Sequence, residues 1–172
     1  MGARDLLAAL AVVIIWGLNF IAMKWGLESF TPFELGAMRY VAAALPMVFL
    51  VRPPRIGWRW VVGFGMFQGV GQFSFGFFAL KLGMTAALAS VLMQTQVFFT
   101  IFLAMRMTHE RLRPVQWVAL ALATAGIAII ASHTDGSTTV GGLLIMLVAA
   151  ACWAGGNMVN RQAGKVNMVA YV

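Results

Sequence analysis

Apolar residues run along this chain in six long stretches separated by short polar gaps. The stretches cover 6–23, 33–51, 60–80, 84–105, 115–131 and 141–160. Each has about the length a helix needs to cross a hydrocarbon layer of about 30 Å. Strands of a membrane barrel would be shorter and would alternate with period two, and no stretch alternates. Thr31-Pro32, Pro53-Pro54, Leu82-Gly83, Arg113-Pro114 and Asp135-Gly136 fall in the gaps, where turn chemistry belongs. The pattern predicts an all-α membrane protein of six helical spans. Pro46 should free the carbonyl of Ala42 and bend the second span.

Composition agrees with lipid as the solvent. Hydrophobic residues make up 62% of the 172 positions and charged residues 10%, against about 25% charged in soluble domains. The net charge of +7 would raise nucleic acid in a soluble chain, but here the cations sit between apolar runs and read as orientation signals. Nucleic acid is excluded as a partner; the lipid bilayer is implied. With the amino terminus in the cytoplasm, nine of the twelve cations lie inside: Arg4, Arg52, Arg55, Arg59, Arg106, Arg111, Arg113, Arg161 and Lys165. Only Lys24 and Lys81 lie outside, and Arg39 lies within a span. The positive-inside rule thus predicts an inner (plasma) membrane protein with its amino terminus cytoplasmic and residues 132–139 outside. Trp25, Trp58, Trp60 and Trp117 fall near span ends, as interfacial anchors should. The first stretch is longer than a signal-peptide core, and Lys24 follows it where a small-residue cleavage site would stand, so it is read as a retained span.

An internal repeat sets the architecture. Laid over 143–161, residues 6–24 match in their opening leucines, in Trp16 on Trp153 and in Lys24 on Arg161, at an offset of 153 − 16 = 161 − 24 = 137. Five spans separate the copies, so the second must enter the membrane from the opposite side. That is the inverted repeat from which many secondary transporters build alternating access. The expected organisation is a first five-helix repeat at 1–131, an outer linker at 132–139 and the start of a second, inverted repeat at 140–172 with one helix visible. About four further spans would complete the pair, so the missing second half of the same protein is an expected partner and the chain reads as truncated.

The residues also carry a family resemblance over essentially the whole chain. WGLNF…K at 16–24, Pro32 and Arg39 resemble the opening of EamA-type proteins of the drug/metabolite transporter superfamily. The run 98–130, with Glu110-Arg111-Leu112, resembles that family's end of the fourth span and its fifth span, and 71–101 resembles the O-acetylserine/cysteine exporter branch. The resemblance implies ten spans in two inverted halves, cytoplasmic termini, and export of small metabolites such as amino acids and their relatives.

Polar side chains at depth need a protein partner or a wet cavity. Gln68 and Gln72 in the third span, and Ser90 and Gln94 in the fourth, are each four residues apart and share a helical face, with Gln96 and Thr100 nearby. The first span adds Asn19; the sixth adds Asn157 and Asn160. Two readings stand: a pathway for a small polar or zwitterionic solute, or interhelical glue worth about 1 kcal/mol or less per bond. Arg39 lies roughly 12 Å into its span at 1.5 Å per residue. It is either a counter-charge for a substrate carboxylate or, as favoured on cost, a snorkelling side chain paired with Glu34. Lys24 reads as more exposed still, with a gate role suggested by its mate Arg161. Trp16 and Trp153, near mid-membrane, are candidate cavity walls or core packing. Gly65-x-x-x-Gly69 offers a close helix approach. The candidate pathway set is therefore Trp16, Asn19, Arg39, Gln68, Gln72, Ser90, Gln94, Trp153 and Asn157.

Enzymatic readings find no footing: no H-E-x-x-H, no G-x-S-x-G, no paired acids at depth and no dinucleotide fingerprint. The lone Cys152 lies in an apolar run as a small hydrophobe, His109 and His133 fall in predicted loops, and Glu110 reads as a loop residue pairing with local cations, so no metal or cofactor is expected. No Asp or Glu lies deep in a span, which leaves no buried carboxylate of the kind proton relays use. The leading expectation is a secondary exporter, by alternating access, of a small-molecule substrate of the amino-acid-like kind. The alternatives are a non-transporting membrane scaffold or assembly subunit and a transporter of a different small solute, and a homo-oligomer is compatible with each.

Overall fold

Thr31-Pro32-Phe33-Glu34 spells a helix start, and the side chains close on it. The Thr31 hydroxyl accepts the Glu34 N–H at 3.3 Å while the Glu34 carboxylate accepts the Thr31 N–H at 2.8 Å, a reciprocal capping box with Pro32 as the first helical residue. The computed structural model describes residues 2–52, 56–108, 112–132 and 139–164, the side chains of 108, 130 and 131 apart. Pro53-Pro54, Arg55, His109, Glu110, Arg111, His133, Asp135-Gly136 and Lys165 lie outside the described residues.

Helix covers all six apolar runs. The first two are α1 (Ala3–Ser29) and α2 (Pro32–Leu50), the latter continuing through Pro46. The third run is α3 (Trp58–Phe64), a π-helical segment (Gly65–Gln72) and α4 (Phe73–Lys81) end to end. The fourth is α5 (Ala86–Met93) and α6 (Gln96–Thr108). Between them the Thr95 hydroxyl turns back onto the Leu92 carbonyl at 2.7 Å, a local bond that competes with the helix ladder. The last two are α7 (Pro114–Ser132) and α8 (Val140–Ala163). Thr85 and Thr139 cap α5 and α8 through the N–H groups of Leu88 and Gly142. Among the described residues four stretches are long and apolar enough to cross a membrane: Ala3–Ser29, Pro32–Leu50, Ala86–Met107 and Val140–Ala163; Pro114–Ile129 is a shorter apolar helix. No strand occurs among the described residues. The chain is a multi-pass α-helical membrane protein.

The π segment departs from the regular third span expected from the sequence. A run so uniformly apolar and glycine-rich carries no periodic signal that separates i→i+4 from i→i+5 bonding. Such segments occur mostly as short insertions in helices, often at functional sites.

The sixth run occupies the centre. α8 packs against α3, the π segment, α4, α5 and α6. It buries Gly142, Met146, Ala149, Ala150, Ala154, Gly156 and Met158, a stripe of small residues and methionines at helical spacing. Phe77, Leu80, Met84, Met93 and Met146 are fully buried around it. By contrast α1 and α2 turn rows of leucine, valine and isoleucine outward, as lipid-facing helices do. The expected close approach at Gly65 and Gly69 is not found. Gly65 faces open space and Gly69 faces the Tyr40 ring. A tight contact lies two residues beyond Gly69, where a Cβ on Gly71 would stand 2.8 Å from Cys152 Sγ and 3.0 Å from its Cβ, and from the α8 side a Cβ on Gly155 would stand 2.7 Å from the Phe67 ring. Which face of a helix meets a neighbour depends on its rotation, and a glycine motif does not encode that.

Lys24 and Lys81 tie α1 to α4. The two helix ends meet there: Lys24 Nζ donates to the α4 carbonyl of Leu80 at 3.4 Å and to Met84 O in the turn beyond α4 at 3.0 Å, and Lys81 Nζ donates to the α1 carbonyl of Leu27 at 3.2 Å. Lys24 is thus half-buried and engaged, not an exposed loop cation. Cations at helix C-termini satisfy orphan carbonyls and oppose the negative end of the dipole. Lys24→Met should lower the thermal midpoint in mild detergent by an amount equivalent to about 1–3 kcal/mol, the cost of losing charged-donor bonds. Lys81→Met, at an exposed side chain, should cost less; equal midpoints for Lys24→Met and the wild type would refute the tie.

Candidate functional site

A cavity of about 1620 Å³ opens between the helices, lined from α1, α2, the third run, α5, α6, α7 and α8. A pocket for one small ligand is usually about 300–1,000 Å³, so this space holds a small solute together with water. All nine positions singled out in the sequence line it: Trp16, Asn19, Arg39, Gln68, Gln72, Ser90, Gln94, Trp153 and Asn157, joined by Asn160. They reach it from five runs: Trp16 and Asn19 from the first, Arg39 from the second, Gln68 and Gln72 from the third, Ser90 and Gln94 from the fourth, and Trp153 and Asn157 from the sixth.

Their bonding divides them. Asn157 Nδ2 donates to Gln96 Oε1 at 3.0 Å and Thr100 Oγ1 at 3.4 Å, and Thr100 donates to Gln96 at 3.2 Å. That cluster joins α8 to α6, so Gln96 and Thr100, which do not line the cavity, act as interhelical glue. The Ser90 hydroxyl is satisfied by the Ala87 carbonyl of its own helix at 2.7 Å. Gln68 and Gln72 differ: each has a buried Oε1 with no partner, and Gln72 is only 6% exposed. Gln68 Oε1 rests against Gly156, where a Cβ would stand 2.8 Å away. The two lie on the π segment, which packs directly on α8.

Arg39 does not pair with Glu34, whose carboxylate is taken by the α2 capping box. Its Nη1 donates to Asn19 Oδ1 at 2.7 Å, and its guanidinium carbon lies 4.2 Å from the centre of the Phe73 ring. The charge is held over an aromatic face, a favourable cation–π geometry, and lines the cavity. Asn19 in turn donates to Met23 Sδ at 3.3 Å, a weak acceptor.

Trp16 and Trp153 meet edge to face, ring centroids 5.5 Å apart. The helices that carry them begin at Ala3 and Val140, again 140 − 3 = 137 apart. The two indoles form one aromatic wall.

Two lining residues were missed in the sequence. Tyr40 donates its hydroxyl to the Gln68 carbonyl at 3.3 Å and meets Phe73 edge to face at 5.6 Å, tethering α2 to the π segment. A tyrosine well inside a span, away from either interface, was the available signal. Phe73, the platform for Arg39, gave none among so many phenylalanines. Among the described residues no three His, Cys, Asp or Glu side chains come together as metal ligands would.

Residues 4–132 match the model of the EamA-like transporter family. The chain is 38% identical over 164 residues to a protein of Salmonella typhimurium described as a probable amino-acid metabolite efflux pump, covering 94% of this chain and 55% of that relative. A protein of Escherichia coli strain K12 with the same description is 37% identical over the same shares. An uncharacterized inner membrane transporter of E. coli K12, YedA, is 25% identical over 95% of this chain and 58% of its own length. The chain spans about half the length of the curated relatives it matches. No solved structure matches.

Proposed function

The chain belongs to the EamA-like transporter family, and from that premise we propose that it works as a secondary exporter of small amino-acid-like metabolites, cysteine and O-acetylserine among them. The single observation that carries this reading is the convergence of neutral polar side chains from separate spans on one cavity with aromatic walls. Neutral amides and hydroxyls can hold a polar solute and release it, whereas a covalent mechanism would need a base to activate a hydroxyl such as that of Ser90, and among the described residues no His, Asp, Glu, Cys or Lys lines the cavity. The amino-acid efflux named for the two relatives points the same way.

On this reading the solute path is lined by Trp16, Asn19, Arg39, Gln68, Gln72, Ser90, Gln94, Trp153 and Asn157. Residues 1–131 form the first repeat, 132–139 the outer linker and 140–172 the opening of an inverted second repeat, in a ten-span protein of the inner membrane with a cytoplasmic amino terminus. Alternating access then comes from rocking the two repeats about the shared site. An axis relating α1 to α8 would run between Trp16 and Trp153, and their contact supports that symmetry.

The test is solute counterflow. Proteoliposomes carrying the intact protein and preloaded with unlabelled cysteine or O-acetylserine should take up the labelled solute transiently and saturably. Absence of flux for both overturns the exporter reading. A cysteine placed within 132–139, in a Cys152→Ser background, should react with a membrane-impermeant maleimide applied to intact cells; protection until the cells are lysed would overturn the topology and the inverted repeat with it.

A further inference from the structure

Among the described residues Arg39 is the only one carrying a formal charge that lines the cavity. From its surroundings we infer that it is the carboxylate anchor of this cavity, and that Asn19 and Phe73 are the positioning residues that aim it. The inference rests on the exporter reading for the identity of the solute, but its chemistry stands on the site alone.

A guanidinium carries five N–H donors in a planar fork. One goes to Asn19 Oδ1, the Phe73 ring covers one face, and among the described residues no other partner takes the rest. The fork matches a carboxylate bidentately, which a point charge does not. Among the described residues no acid is paired with it. Glu34 is committed to the α2 cap and Asp5 accepts the Gly2 N–H at 2.9 Å at the far end of α1. Among the described residues no acid lines the cavity. An uncompensated positive charge with low-dielectric walls draws anions and repels amines.

The partner's identity matters. Asn19 fixes the guanidinium through a neutral carbonyl oxygen, so the long side chain is aimed while its charge stays available. An aspartate at the same position would aim it equally well and consume the charge. Phe73 acts from the other side, reaching from α4 to flatten the fork against an aromatic face. A merely structural bond between α1 and α2 would be served as well or better by aspartate; an anchor would not.

The experiment uses the intact protein, purified in mild detergent and reconstituted in parallel, with three probes. Cysteine carries both ionic groups, N-acetylcysteine keeps only the carboxylate and cysteamine keeps only the ammonium. Cysteine and N-acetylcysteine should raise the thermal midpoint and cysteamine should not. Arg39→Gln should abolish the rise, and Arg39→Lys should keep part of it as charge without the fork. Asn19→Asp should fold with an unliganded midpoint at or above that of the wild type, yet bind N-acetylcysteine at least about tenfold more weakly. In counterflow both Arg39→Gln and Asn19→Asp should raise KM for cysteine by a similar factor with kcat little changed. Equal stabilisation by cysteamine, no response to either carboxylate, or wild-type affinity in Asn19→Asp would each overturn the anchor. Carboxylate-dependent stabilisation without flux keeps the anchor and removes the exporter; cysteine flux indifferent to Arg39→Gln keeps the exporter and removes the anchor.

Discussion

Gly71→Ala should destabilise the protein by an amount equivalent to about 1–3 kcal/mol, the range for overpacking a filled interior, read as a lower thermal midpoint in mild detergent. The new methyl would stand 2.8 Å from Cys152 Sγ, 3.0 Å from Cys152 Cβ and 3.3 Å from the Met66 carbonyl oxygen. The sulfur can rotate away; the Cβ and the carbonyl belong to two packed helices and cannot. Gly71→Leu should go further and prevent α8 from seating, leaving little monodisperse protein. The neighbours identify the cause. Cys152→Ala removes the sulfur but keeps the Cβ, so it should rescue Gly71→Ala only in part. Cys152→Gly removes both and should rescue it more fully, less the cost of about 1 kcal/mol for a second glycine within a helix. At Gly156 the nearest atom is the free end of the Gln68 side chain, so alanine there should cost less. A midpoint for Gly71→Ala equal to wild type would mean that α8 does not dock on the π segment as described.

The spans were legible because lipid makes sequence unusually literal. A run of about 20 apolar residues has one cheap conformation in hydrocarbon, and Thr31, Thr85 and Thr139 cap helices where apolar runs begin. The pairing of Trp16 with Trp153 was legible too, since an offset of 137 brings together two indoles that touch at 5.5 Å. The polar positions stand out for the same energetic reason, each interrupting an apolar run; Asn19, Gln68, Gln72, Ser90, Gln94, Asn157 and Asn160 line one cavity, while Gln96 and Thr100 bond between helices instead.

What the sequence left open depended on helix rotation and on competition for partners. Arg39 was given to Glu34 as the nearest acid, yet Thr31-x-x-Glu34 is a capping-box signature that already claims that carboxylate. With Glu34 spoken for, the guanidinium needed another acceptor, and Asn19 is 20 positions away on α1. Lys24 and Lys81 looked like outer-loop cations because their partners are backbone carbonyls, which every residue has and no pattern marks. The π segment was invisible for a related reason. Widening a helix moves the bonding register without changing which residues are apolar, so Gln68 and Gln72 could be paired but their stranded oxygens could not be foreseen.

Those stranded oxygens lead to the prediction in which stability and function should move in opposite directions. Gln72 is 6% exposed, and its Oε1 has no donor among the described residues. A buried acceptor without a partner costs about 1–3 kcal/mol, and replacing it by an apolar side chain of similar shape relieves that cost. Gln72→Leu should therefore raise the thermal midpoint, where most substitutions at a buried position lower it. If the carboxamide is kept for transport, the same variant should lose most of its counterflow of cysteine or O-acetylserine despite being better folded. Gln72→Glu serves as the opposite control: it buries a charge beside the core and should fall in both measurements. A lower midpoint for Gln72→Leu would show that the oxygen has a partner in the membrane, and undiminished flux would move Gln72 from the solute path to the packing between the π segment and α8. If the exporter reading holds, a protein that keeps such an unpaired group accepts a less stable fold for what moves through the cavity.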